Sequence, residues 1–217
     1  MLWDTINETE LYSADVSLEL FDQIHLHHYP DQTKSRSSYL GLLELRAQEF
    51  KEDWYGLIYL AHEYSYNYMY EKSNILLQRI LNEYKDNYNT VEQASCYLFM
   101  GDNYMALGDY NQAIYSYLCA MDIEPTYREP YLNIAKAFMA RDEYVIAKHY
   151  ILMGLDKSYR HYSWLERDIS WTYEPYDLLC LACYYNNEIE KSLEYAIQAF
   201  EICPTDIRLE NNIKLIK

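Results

Sequence analysis

Residues 101–125 read GDNYMALGDYNQAIYSYLCAMDIEP. Counted from just upstream, Tyr97, Met100, Gly101 and Tyr104 fall at spacings of three and four. That spacing places them on one face of an α-helix. Further on, Ala113 and Ala120 stand seven apart, with Tyr117 between them. Small side chains let two helix axes approach closely, and large ones fill the grooves that remain. Gly108 and Asp109 suit a tight turn. Pro125 cannot continue a helix interior and ends the second helix. The stretch therefore predicts a helical hairpin.

The hairpin recurs. A shift of 34 positions gives Tyr131, Ile134, Ala135, Phe138, Tyr144, Ala147, Ile151 and Gly154, large matching large and small matching small. An upstream copy carries Leu57, Leu60, Ala61, Tyr64, Tyr70, Ser73, Leu77 and Ile80. A downstream copy carries Tyr176, Leu179, Cys180, Cys183, Ile189, Ser192, Ala196, Ala199 and Pro204. The first and second copies are offset by 40 residues, and the third and fourth by 45. Insertions thus fall near KDNYNT and within SYRHYSWLERDISW. This pattern resembles the tetratricopeptide repeat (TPR). The expected fold is all-α, a TPR-like superhelical solenoid of four helical hairpins at about 54–87, 94–127, 128–161 and 173–206. Residues 34–53 read as a linker helix, with Tyr39, Leu42, Leu43 and Phe50 on one side, and 207–217 as a capping helix.

Composition supports helices. The 217 residues include only 5 Gly and 5 Pro, too few for a fold made of many tight turns. Tyrosine occurs 27 times, which suits helix–helix contacts whose rims stay wet. The formal charge of −16, from 34 acids against 18 bases, repels phosphate backbones and anionic membrane surfaces. Neither nucleic acid nor membrane is an expected partner. Five irregularly spaced cysteines and an N-terminus without a basic flank or long apolar run lead to an expectation of reduced thiols and a cytoplasmic location.

Residues 1–33 read differently. In DVSLELFDQIHLHHYP, apolar residues alternate with period two, the sign of a strand. A strand, then HHYP, then KSRSSYLGLLE and a TPR-like array resembles the C-terminal region of bacterial and phage family 2 (GT-A type) glycosyltransferases that carry TPR tails. The resemblance implies a β-containing remnant of a transferase domain at 1–33, and a fragment of a longer protein. It also implies a metal contact at His28 or His27. The family's Asp-x-Asp metal motif and nucleotide-binding first strand are absent, and Asn7 stands where its histidine would fall. The chain itself is therefore expected to be non-catalytic and to need no cofactor.

Other chemistry-bearing patterns have plainer readings. Cys180 and Cys183 form C-x-x-C but occupy core positions of the fourth hairpin, where cysteine behaves as a small hydrophobe. His27 and His28 suit the packing surface of a strand as well as a metal. The stronger candidate is the concave groove that first helices line in TPR arrays. By that resemblance it comprises Tyr55, Ile58, His62 and Tyr66, then Leu98, Asp102 and Met105. Leu132, Lys136 and Met139 follow, with Glu129 beside them, and finally Asp177, Tyr184 and Tyr185, with Glu174. Such a groove suits a protein or peptide ligand of apolar and basic character. The insert around Trp164 and Trp171 is an alternative occupant, and self-association is a further expectation.

Overall fold

Three helix starts are written in short polar side chains. Asp53, Asn89 and Asp109 each accept a hydrogen bond from the backbone N–H three residues on, at Gly56, Glu92 and Gln112. Asn89 and Glu92 cap reciprocally, satisfying two otherwise orphaned donors. The structure, a computed structural model, describes residues 39–84, 89–157 and 167–216. The strand expected within 1–33 and both His27 and His28 lie outside them.

The described residues hold α1 (Tyr39–Glu49), α2 (Trp54–Tyr66), α3 (Tyr70–Glu83), α4 (Thr90–Leu107) and α5 (Tyr110–Ile123). Then come α6 (Glu129–Met139), α7 (Tyr144–Leu155), a 3-10 turn at Asp168–Trp171, α8 (Glu174–Tyr185), α9 (Ile189–Ile202) and α10 (Ile207–Ile216). Each α-helix packs on the next along the chain, giving an all-α solenoid of four hairpins flanked by α1 and α10. Leu42 and Tyr39 on α1 are exposed, as is Phe50 just beyond it. Only Ala47 of that helix joins the neighbouring core.

The four hairpin turns are the same turn. Tyr68, Gly108, Asp142 and Asn187 all adopt the left-handed conformation, with φ of 60°, 76°, 60° and 58°. In each, the next residue's N–H reaches back to a carbonyl five residues earlier. Those bonds are Met69 to Tyr64 at 2.8 Å, then Asp109 to Tyr104, Glu143 to Phe138 and Glu188 to Cys183, each at 2.9 Å. This closes the orphan carbonyls of the first helix.

The first three hairpins each complete their core with residues of the next. Leu57, Ile58, Ala61, Leu77 and Ile80 of the first are closed by Cys96 and Met100 from α4. Ala113, Tyr117 and Ala120 meet Ile134 from α6, and Ala135, Ala147 and Ile151 meet Leu178, Leu179 and Ala182 from α8. The small repeat positions are where helices touch. Ala61, Ser73, Ala113, Ala120, Ala135, Ala147, Ser192 and Ala199 are all fully buried. A Cβ on Gly101 would lie 2.3 Å from Cε1 of the Tyr117 ring. His62 is likewise enclosed, 7 % exposed and stacked on Phe99 with ring centroids 3.6 Å apart. Burial pushes its pKa down to about 4.

Three outcomes follow from this packing. Helix propensity alone favours Gly101→Ala by about 1 kcal/mol. Overpacking against the buried Tyr117 ring costs about 1–3 kcal/mol, so the variant is expected to have a lower urea midpoint than the wild type. Tyr68 is mostly exposed and pays left-handed strain of about 1–2 kcal/mol. Tyr68→Gly is therefore expected to raise the midpoint, and an unchanged or lower one refutes that strain. The folded pKa of His62 lies below its unfolded value of about 6.5, so its stabilising contribution is full above that pH. The contribution is lost as pH falls toward 4, by roughly 2 kcal/mol at pH 5. Urea titrations from pH 7 to 5 are expected to show this slope in the wild type and a flatter one in His62→Leu.

Candidate functional site

The first helices of successive hairpins are α2, α4, α6 and α8, and polar side chains link each of them to the next. Between α2 and α4, Ser65 Oγ donates to Asn103 Oδ1 at 2.7 Å, and Asn103 Nδ2 donates to Ser73 and Asn74. Between α4 and α6, Asn133 Nδ2 approaches Asp102 Oδ1 at 3.4 Å. Between α6 and α8, Lys136 pairs with Glu174 at 2.6 Å. At the far end Asp177 takes Arg208 Nη1 at 2.7 Å and Asn212 Nδ2 at 3.2 Å, both from α10.

The sequence-selected residues divide by depth. Leu132 is fully buried and Ile58 and Leu98 nearly so, which makes them packing residues rather than open surface. His62 lies under Phe99. Asp102, Lys136 and Asp177 reach the surface but are held in the bridges above. Tyr55 is half-buried, edge-on to Trp54 and Tyr59. Tyr66, Tyr184 and Tyr185 are exposed, while Met105 and Met139 are half-buried. Tyr185 stacks on Tyr144 with ring centroids 4.4 Å apart, and Tyr184 meets Tyr185 edge-on. The accessible part of this face is aromatic and thioether surface set between oriented carboxylates.

Asp102 is the best-defined of those carboxylates. Its Oδ1 accepts the Tyr117 hydroxyl at 2.7 Å, and burial together with the neighbouring charge raises the Tyr117 pKa. Its Oδ2 accepts Arg167 Nη2 at 2.7 Å, across 65 residues of chain. The backbone N–H of Arg167 also approaches Glu129 Oε1 at 3.3 Å. Of the insert, then, Arg167 reaches this face, while Trp171 lies against Arg128 and Trp164 falls outside the described residues.

Two arginines escaped the sequence reading. Arg128 sits at the N-terminus of α6, where the helix dipole disfavours a cation. Its guanidinium turns instead to the C-terminal end of α7, donating to the carbonyls of Gly154 at 3.0 Å and Lys157 at 2.7 Å. A third bond holds the Ser170 carbonyl at 3.1 Å, and the Trp171 ring lies 3.9 Å away. An arginine placed against its own helix dipole was the available signal. Arg167 gave none, because its partner is remote in sequence.

Cys180 and Cys183 are buried in α8, and burial raises both pKa values, away from the thiolate needed for nucleophilic or metal chemistry. All five cysteines are free. Among the described residues no helix is long and apolar enough to cross a membrane, and no group of three metal-binding side chains gathers.

Comparison with known proteins agrees with this fold. Residues 101–141 match the TPR repeat family. MamA (residues 41 to the end) from Desulfovibrio magneticus RS-1 superposes with a TM-score of 0.61 at 16% identity, covering 76% of this chain and 84% of that one. The thermophilic TPR protein TTC0263 from Thermus thermophilus gives 0.59 at 17% identity, with 83% and 89% covered. The first TPR of Spaghetti (RPAP3), bound to the HSP90 peptide SRMEEVD, gives 0.50 at 19% identity, with 58% and 91% covered. No curated protein matches the chain. None of these findings supports the glycosyltransferase resemblance, whose strand and HHYP run lie outside the described residues. What the matches and the helix order establish together is a TPR-like α-solenoid with a TPR repeat at residues 101–141.

Proposed function

We propose that this chain is a protein-interaction module without chemistry of its own, and that its first-helix face binds a polypeptide bearing apolar and basic side chains. The observation that carries this reading is the pairing of exposed Tyr66, Tyr184 and Tyr185, and half-buried Met105 and Met139, with the fixed carboxylates of Asp102, Glu174 and Asp177. Tyrosine and methionine give large, adaptable contact area. Carboxylates along the same face, in a chain of charge −16, favour cationic ligands and speed their encounter. The bound peptide of the RPAP3 structure is precedent for ligand binding by this fold, but its two adjacent glutamates make it a poor electrostatic match here. The reading is that of a stand-alone adaptor. A transferase-tail role rests on the sequence motifs alone.

Selection of phage-displayed peptides on the purified chain is expected to enrich sequences mixing arginine or lysine with leucine, phenylalanine or tryptophan. Tyr184→Ala is expected to weaken the best of them about tenfold, the scale of losing one exposed aromatic contact, with little change in melting temperature. Enrichment of acidic peptides, or of none, refutes the reading.

A further inference from the structure

The interaction face already holds a guanidinium. Tyr117 and Asn133 both address Oδ1 of Asp102, which leaves Oδ2 to receive Arg167 Nη2. A carboxylate oriented in this way by its own neighbours is a preformed acceptor for arginine. The segment carrying Arg167 is fastened from behind. Buried Arg128 holds the Ser170 carbonyl, the Ser170 hydroxyl donates to Glu174 Oε2 at 3.1 Å, and Trp171 lies against the Arg128 guanidinium. The anchor is buried, whereas the Arg167 side chain is 52% exposed.

We propose that Asp102 is an arginine-recognition point on the interaction face, and that the chain's own Arg167 occupies it as an internal competitor which an arginine-bearing partner polypeptide displaces. This rests on the interaction-module reading and adds to it the residue type recognised and the means by which binding is restrained. An ion pair this exposed shifts an equilibrium by no more than about fivefold. Arg167 can therefore swing away while Arg128 and Glu174 keep residues 168–171 in place. An internal competitor acts at high effective concentration, so a partner must bring apolar contacts as well as an arginine to displace it.

Fluorescence anisotropy with a labelled peptide of alternating leucine and arginine tests this. Binding to the wild type is expected, with about fivefold tighter binding to Arg167→Ala. The gain should vanish when Asp102→Asn is added, and when citrulline replaces arginine in the peptide. Arg167→Gln, which keeps much of the side chain's length without its charge, should behave as Arg167→Ala does, and thermal melts should confirm that both variants remain folded. Equal affinity for wild type and both variants overturns the competitor while leaving the interaction module standing. A gain that survives Asp102→Asn overturns the recognition point. Absence of binding to every form overturns the inference together with the reading beneath it.

Discussion

The absent Cβ of Gly101 lets α4 settle against the ring of Tyr117 on α5, and much else in the second hairpin depends on that approach. With the ring 1% exposed in the interhelical space, its hydroxyl emerges beside Asp102 on the outer side of the same joint. One close contact thus sets the distance between two helices and orients a surface carboxylate. Alanine at the equivalent place in α2 and α6, and cysteine in α8, make the same compromise with slightly more bulk. Packing to near-crystalline density leaves little room for slack at such positions.

A stack of hairpins also needs its joints held in register. Apolar contacts are non-directional, and on their own they tolerate sliding of one hairpin over the next. Hydrogen bonds and ion pairs are directional, and each joint here carries at least one. Buried examples such as Asn103 to Ser73 and Asn74 resist breakage because an unmatched buried amide costs about 1–3 kcal/mol. More exposed ones, such as Lys136 with Glu174, add little net stability but fix geometry. Arg128 works differently, tying the C-terminal end of α7 to the 3-10 turn before α8 and so spanning the longest insertion in the array.

The array was legible in the sequence because steric demands repeat. Alanine, glycine, serine or cysteine at a contact must recur wherever the contact recurs, so a ruler of 34 positions finds them despite insertions. Turn positions were only partly legible. Gly108 announces a left-handed residue, but Tyr68 takes the same conformation without any compositional sign, forced there by the helices on either side. Exposure was legible at Asp102, Lys136, Asp177, Tyr184 and Tyr185, all of which reach the surface. It failed at Leu132, Ile58 and Leu98, since a residue on the inner side of a first helix is also close to the next hairpin and can be covered by it. Periodicity gives the direction of a side chain and says nothing of how deep it lies. The bridges joining Asp102 to Arg167 were beyond reach for a related reason: no repeat relates the insertion to the hairpin it touches.

Charge bears differently on stability and on recognition here. The excess of 16 negative charges opposes compaction through self-repulsion, and surface pairs offset it only slightly. Yet the acids of the first-helix face are not left to repel one another. Asp102, Glu174 and Asp177 are each held by a cation from elsewhere in the chain: Arg167, Lys136 and Arg208 respectively. Arg208 and Lys136 belong to regular helices and serve the joints between hairpins. Arg167 belongs to an insertion; its backbone N–H meets Glu129 on α6, while its guanidinium only adds to an α4–α6 joint that Asn133 and Asp102 already span. A contact that the architecture does not need, made to a carboxylate that the architecture orients, is where binding can change without disturbing the fold.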